Sequence, residues 1–246
     1  MTIKFHIIIP ARYHAKRLPG KLMLDIAGKT VLERVYFQAL QAMPASIIIA
    51  TDSDIILQHA GQFGAQVQLT AVTHRSGTDR IAEVVALGEY DDNDIIINVQ
   101  GDEPFIDPKL IIQLVQVMAN CDVPMATLCW PMMLTQPNVN MVKVVRDCFN
   151  NALYFSRAEL PVRMIDGHKQ ILRHIGIYAY RVVFLRTIVQ QPACSLEFVE
   201  DLEQLRVLWL GYKIRVEDAC VSPSPDINTV QDVANAREFV TSFLKE

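Results

Sequence analysis

The sequence predicts an α/β fold, with a mostly parallel sheet flanked by helices. Three observations carry that expectation. Short Ile-rich runs recur at Phe5–Pro10, Ser46–Ala50 and Asp94–Val99. Stretches with helical spacing lie between them, notably Val31–Met43 and Ile81–Leu87. A polar stretch follows each run. Short apolar runs bounded by polar turns read as buried strands, and strands alternating with helices read as a parallel sheet covered on both faces.

The elements follow in chain order. Phe5–Pro10 is the first strand. It leads into ARYHAKRLPGK, which places Arg12, Lys16, Arg17 and Lys21 within ten residues. No acid occurs before Asp25, although the chain has a formal net charge of -4. Val31–Met43 is a helix, and Ser46–Ala50 a strand followed by TDSD. His74–Arg80 (HRSGTDR) is a polar loop that opens the helix Ile81–Leu87. Asp94–Val99 is a strand followed by QGDEP. Asp107 and Pro108 start another helix as N-cap and first helical residue. Its apolar residues Leu110, Ile111, Leu114, Val115 and Met118 share one face.

The second half is less regular. Met125–Trp130, Val142–Arg146 and Ile171–Tyr180 read as strands, and Leu196–Leu210 and Val230–Phe243 as helices. Asn150–Arg157 fits either pattern. Ala158–Gln170, with Pro161 and Gly167 and few apolar residues, reads as a loop or arm. No Gly/Ser-rich linker or internal repeat divides the chain. The expectation is a single unit over residues 1–246 with an irregular arm in its second half.

Composition limits the function classes. The 246 residues are 51% hydrophobic and 20% charged, ample for a core. A mildly acidic chain is poorly suited to coating nucleic acid or an anionic membrane, so any anion site is local. The five cysteines are scattered without a CxxC pair, which argues for reduced thiols in a cytoplasmic protein and against zinc or a disulfide framework. No apolar run approaches the ~20 residues of a membrane span. The run from Phe5 to Ala11 is too short for a signal peptide, and its cations follow it instead of preceding it.

In sheets of this kind ligands bind beyond the carboxyl ends of the strands. ARYHAKRLPGK, TDSD and QGDEP are therefore the expected site segments. The first is no GxGxxG fingerprint. It is no Walker loop either, because the glycine required five residues before Gly28 is Met23. Phosphate must then be held by side-chain cations of this loop and by backbone N–H groups, with Arg12, two residues past the strand end, a stronger candidate than Lys16. A carboxylate at a strand end, facing a cationic loop, suits magnesium held jointly with substrate phosphates. Asp102 is that candidate ligand, with Glu103 behind it and Gln100 sharing the cleft. Ser76, Gly77 and Thr78 are small enough to allow close backbone approach. Taken alone, His174 reads as a structural histidine, and Glu203 and Gln204 as the wet face of a helix.

Several stretches together resemble one family. They are IIPARYHAKRLPGKLMLDIAGK, HRSGTDR, INVQGDEP, ALYFSRAELP, LRHIGIYAY and LEQLRVLWLGYKI, spread in order from Ile8 to Asp232. The family is 3-deoxy-manno-octulosonate cytidylyltransferase, which joins CTP to Kdo, an acidic eight-carbon sugar, giving CMP-Kdo and pyrophosphate for lipopolysaccharide assembly. The resemblance implies a Rossmann-like nucleotidyltransferase fold, magnesium as cofactor, a cytoplasmic location and a homodimer built partly by the second half. It puts Arg12 and Lys21 at phosphate and catalytic positions, and Asp102 at a catalytic magnesium ligand. Ser76 and Arg80 fall in the nucleotide segment. Gln100, Arg157, His174, Tyr178, Glu203 and Gln204 fall in the sugar pocket.

One departure stands out. The family's closing V-D-T-P-E-D segment, whose first Asp is a second magnesium ligand, is replaced by PDINTVQDV. Asn228 therefore stands where the carboxylate is expected, and metal affinity is expected to fall. Asp226, on the same face of an extended segment, is a possible substitute. The expected reaction is in-line attack of the Kdo anomeric hydroxyl on the α-phosphorus, with Arg157 or His174 meeting the sugar carboxylate. Lys21→Ala is expected to cost ~10²–10³ in rate and leave the melting temperature nearly unchanged. The alternatives are a cytidylyltransferase for a related sugar acid and a sugar-nucleotide binding protein with weakened catalysis.

Overall fold

The computed structural model describes residues 4–14, 18–134, 138–160 and 169–243. Lys16, Arg17 and positions 161–168 of the expected arm lie outside the described residues.

The most buried strand sets the architecture. β1 (Phe5–Ala11) carries Ile7, Ile8 and Ile9, all fully buried. Successive strand residues face opposite sides of a sheet. Ile7 and Ile9 accordingly enter one core and Ile8 the other. The first core contains α1 (Val31–Leu40), α4 (Pro108–Asn120) and α8 (Val230–Phe243). The second contains α3 (Gly77–Leu87), α5 (Val182–Ile188) and α7 (Leu205–Trp209). Burial on both faces is why these strands read as continuous Ile runs.

β1 pairs in parallel with β4 (Ser46–Thr51) and β6 (Ile95–Asn98), and β4 with β5 (Gln66–Leu69). β10 (Lys169–Arg181) runs antiparallel between β6 and β7 (Met125–Leu134), and β11 (Ile214–Asp218) is parallel to β7. The order is β11-β7-β10-β6-β1-β4-β5. β8 (Lys143–Arg146) attaches to β10, and β9 (Ala152–Ser156) to β8. A small hairpin, β2 (Asp25–Ile26) with β3 (Lys29–Thr30), leads into α1. The expected mostly parallel α/β architecture is present.

Side-chain caps fix the helix starts. Thr30 caps α1 through the Glu33 amide, Ser76 caps α3 through Asp79, and Asp107 caps α4 through Lys109. Each satisfies a donor that the helix itself leaves unpaired.

The structure corrects several element expectations. Leu196–Leu210 is two helices, α6 (Ser195–Glu200) and α7, divided at Asp201 with φ 54°. A short side chain that tolerates the left-handed region permits this stop. α1 ends at Leu40, before Met43, which also has positive φ. Asn150–Arg157 resolves as β9. α2 (Asp54–Gln62), α5, β5 and β11 are further elements without an expected counterpart. Among the described residues, no helix is long and apolar enough to cross a membrane.

Candidate active site

A cleft of about 620 Å3 opens past the end of β6, between the start of α3, one wall of β10, the α6–α7 break and the chain entering α8. Its floor is QGDEP. Gly101 allows a close approach there, since a Cβ would stand 3.1 Å from the Pro10 carbonyl oxygen. The turn thus packs directly on the end of β1. A second segment is laced to it: the Ile227 amide donates to the Asp102 carbonyl (2.9 Å), and Ser224 Oγ to the Phe105 carbonyl (2.6 Å).

Lys21 crosses to this floor. Its Nζ donates to Asp102 Oδ2, to the Ile227 carbonyl at 2.9 Å and to Asn228 Oδ1 at 3.4 Å. Asp226 accepts from Asn228 Nδ2, which turns Oδ1 toward Lys21. Asp232 accepts from the Asn228 and Thr229 amides, and Thr229 Oγ1 accepts from the Asp232 amide. That reciprocal cap fixes the entry to α8. Glu103, hemmed in by burial, Asp102 and Asp226, has its carboxyl pushed up to about 8, against the pull of Arg173.

The chemistry of these donors fits magnesium. A carboxylate, a backbone carbonyl and an amide oxygen already surround one cation, the Lys21 ammonium. All are the hard oxygen ligands that magnesium takes. Among the described residues no group of three His, Cys, Asp or Glu side chains is arranged to hold a metal. Magnesium in nucleotide sites is commonly held by one or two carboxylates together with substrate phosphates.

The first loop contributes a second cation. Gly20, with φ 70°, donates its amide to the Tyr13 carbonyl (2.9 Å) and closes the loop. Arg12 follows β1 directly, and its buried Nη2 has no hydrogen-bond partner among the described residues. A buried unpaired donor costs about 1–3 kcal/mol, more when charged. Arg12 does not line the cleft itself.

The α3 entry is held from outside. Glu203 accepts from the Gly77 and Thr78 amides, both at 3.3 Å, and from Thr78 Oγ1 at 2.8 Å. Arg80 is fully buried and turned away from the cleft, donating to Asp52 Oδ2 (2.6 Å) and Thr70 Oγ1. The TDSD stretch thus braces the HRSGTDR loop from behind through Asp52 and does not line the cleft.

The β10 wall is shaped by a bulge. Ile175 pairs with Leu128, but Tyr178 already pairs with Thr127, which leaves Gly176 and Ile177 extra. Thr127 Oγ1 sits 2.7 Å from the Ile177 carbonyl and 3.1 Å from His174 Nε2. A hydroxyl has one proton. With that proton on Ile177, Nε2 is the donor to Thr127 and His174 Nδ1 keeps its lone pair. Burial and then Arg173 push the His174 pKa down to about 3, so the ring is neutral. Burial, with Tyr180 and Glu203, raises the Tyr178 phenol well above its ordinary value. It stays a hydroxyl.

Arg157 reaches the same wall. It donates from Nε to the Glu200 carbonyl (3.2 Å) and from Nη1 to the Asn140 carbonyl (3.3 Å), while buried Lys143 holds its own carbonyl at 2.8 Å. The guanidinium itself meets only neutral carbonyls, while the Glu200 carboxylate accepts from the Arg157 amide at 3.1 Å. Gln204 is buried on the opposite side, and its Nε2 has no partner among the described residues.

The cleft therefore gathers Ser76, Gln100, Asp102, Asp226 and Asn228 with Arg157, His174, Tyr178, Glu203 and Gln204. Lys21 joins them through Asp102. Arg12 and Arg80 lie behind the lining. Two neighbours escaped the sequence reading. Arg173 lines the cleft, and its charge bears on Glu103. Its only signal was its place inside LRHIGIYAY. Thr127, which sets the His174 tautomer, lies in an apolar strand and gave no signal.

Comparison with known proteins identifies the chain's relatives. A family model described as cytidylyltransferase matches residues 6–214. A 3-deoxy-manno-octulosonate cytidylyltransferase of Legionella pneumophila is 54% identical over 243 residues, covering 97% of each chain. One from Vibrio campbellii is 45% identical, covering 97% of this chain and 98% of its own. The solved structure of a CMP:2-keto-3-deoxy-manno-octonic acid synthetase complexed with CTP superposes with a TM-score of 0.90. It is 39% identical and covers 97% of this chain and 99% of its own. The 4-diphosphocytidyl-2C-methyl-D-erythritol synthase of Anaerococcus prevotii, 12% identical with a TM-score of 0.63, shares the fold alone. This chain belongs to the 3-deoxy-manno-octulosonate cytidylyltransferase family.

Proposed function

We propose that the protein transfers CMP from CTP to the anomeric hydroxyl of Kdo, releasing pyrophosphate and using magnesium. The observation that carries this reading is the meeting of Lys21 with Asp102. It joins the cationic loop after β1 to QGDEP after β6, the two segments suited to a triphosphate and its metal.

Chemistry of this kind depends on positioning and charge neutralisation more than on a covalent catalyst. Lys21 and Arg12 would stabilise charge on the α-phosphate and the leaving pyrophosphate. The orphaned Arg12 Nη2 supports that role, since a phosphate oxygen would supply its acceptor. Asp102 and the Asn228 amide oxygen would hold magnesium. Bound there, the metal supplies further neutralisation of phosphate charge. Asp226 acts by orienting Asn228, which argues against its replacing Asn228 as ligand. An amide oxygen is itself a hard ligand for magnesium, so Asn228 alone does not favour the alternative of a binding protein with weakened catalysis. Ser76 would border the nucleotide, with Arg80 bracing its loop.

On the sugar side, Gln100, Glu203, Gln204 and Tyr178 supply polar atoms for hydroxyl groups. His174, neutral with a free Nδ1 lone pair, would accept from a hydroxyl. Arg157 then meets the sugar carboxylate, because it keeps a charge that His174 lacks.

The same reading treats residues 1–246 as one nucleotidyltransferase domain, supported by a sheet continuous from β5 to β11. It pairs two copies through the second half, where Phe149, Leu153, Phe198, Val199 and Trp209 are exposed. It places the protein in the cytoplasm, consistent with its free cysteines, where CMP-Kdo would feed lipopolysaccharide synthesis. The test is pyrophosphate release from each of the common nucleoside triphosphates with Kdo and a panel of related sugar acids. CTP with Kdo is expected to be the fastest pair. A faster reaction with another acid would reassign the acceptor.

A further inference from the structure

Lys21 is turned to oxygens of the protein itself. An ammonium has three N–H donors. Lys21 has three acceptors: Asp102 Oδ2, the Ile227 carbonyl and Asn228 Oδ1. None is left over for a phosphate. The three acceptors are also the oxygens that suit a divalent ion.

We propose that Lys21 is the resident cation of the Asp102–Asn228 oxygen cluster, holding it in the absence of nucleotide and leaving it when a triphosphate arrives. The proposal rests on the reading of Asp102 as a metal ligand. Three features support it beyond the contacts. The cluster is braced independently of Lys21, by the Ile227 amide on the Asp102 carbonyl, by Asp226 on the Asn228 amide and by the Asp232 cap. It therefore keeps its shape when the lysine moves. Lys21 is a point charge on a flexible stem, unlike a planar guanidinium, and can exchange one set of oxygens for another. The cluster needs a cation at every stage, since it carries the Asp102 carboxylate directly and the Asp226 carboxylate through Asn228.

Binding order follows. Free metal must compete with an ammonium tethered to the same chain, so the binding-competent fraction is small and apparent affinity falls by that fraction. A triphosphate offers Lys21 other oxygens and removes the competitor. Nucleotide thus enters before the metal or together with it.

The test is Mn2+ affinity of the full-length protein without nucleotide, measured by calorimetry and by electron paramagnetic resonance. Lys21→Met and Lys21→Gln are expected to bind Mn2+ at least tenfold more tightly than the unaltered protein. The gain is expected to vanish in Lys21→Met/Asp102→Asn. If both single variants bind no more tightly, while Mn2+ binding with CTP still requires Asp102, the resident-cation role is wrong and the metal assignment survives. If the gain persists without Asp102, the cation lies elsewhere and both fail. Two single variants guard against one that does not fold.

Discussion

Glu203 ties the α6–α7 break to the start of α3 across 125 residues of chain, and its removal gives a quantitative test of the site's construction. Its carboxylate accepts two first-turn amides and the Thr78 hydroxyl. Those amides have no partner within the helix. A carboxylate at a helix N-terminus contributes about 0.3–1 kcal/mol, and hydrogen bonds to a charged group about 1.5–3 kcal/mol when sheltered. Glu203 is exposed, so solvent screening places the sum at the low end, about 1–2 kcal/mol. For a chain of this size each kcal/mol moves the melting temperature by about 2–4 °C. Glu203→Ala is therefore expected to melt roughly 2–8 °C lower, measured by calorimetry, and to raise the KM for CTP because residues 76–78 lose their anchor. Thr78→Val shares one of the lost contacts, so the double variant is expected to be less destabilised than the sum of the singles. A melting temperature within about 1 °C of the unaltered protein, or strictly additive losses, would refute the reasoning.

Further outcomes follow from the same geometry. Lys21→Ala is expected to lower kcat by ~10²–10³, the scale of one well-placed donor. It is also expected to lower the melting temperature by several degrees, because three contacts between distant segments disappear. This revises the sequence expectation of an unchanged midpoint. Calorimetry beside a pyrophosphate assay checks both parts. Glu103 holds its proton up to about 8 when folded and to an ordinary carboxylate value when unfolded. The folded state thus binds more protons across that window, and metal-free stability falls as pH rises from about 4.5 to about 8. Glu103→Gln is expected to flatten that decline in melts with chelator present; an unchanged slope would remove Glu103 as its source. Asn228→Asp adds a ligand charge and is expected to lower the magnesium concentration for half-maximal rate several-fold. No change in the magnesium titration would mean that position 228 does not face the ion.

Much of this was legible in the chain itself, for physical reasons. The Ile runs announce their strands because both faces of the sheet are buried, as Ile7, Ile8 and Ile9 illustrate. Asp107-Pro108 announces α4 because an N-cap and a fixed φ each have a local signature. What was illegible depends on distant partners or on single backbone angles. Asp201 interrupts a well-spaced helical pattern by adopting positive φ, which the pattern does not encode. Arg80 lies in a polar stretch of sequence yet is fully buried in the first turn of α3 against Asp52, a pairing that no local spacing reports. The proximity of Lys21 to Ile227 joins residues 206 apart in the chain. The hydrogen bond that orients His174 comes from Thr127 on another strand. The packing brings residues from several of the resembling motifs to one cleft and decides which of their atoms face it.

The most direct measurement is a crystal structure of the protein with CTP and Mn2+, using the anomalous signal to locate the ion. The ion is expected to be bound by Asp102 and by phosphate oxygens, with Lys21 and Arg12 both on the triphosphate. An ion far from Asp102, or Arg12 and Lys21 left without phosphate contact, would contradict the proposed site.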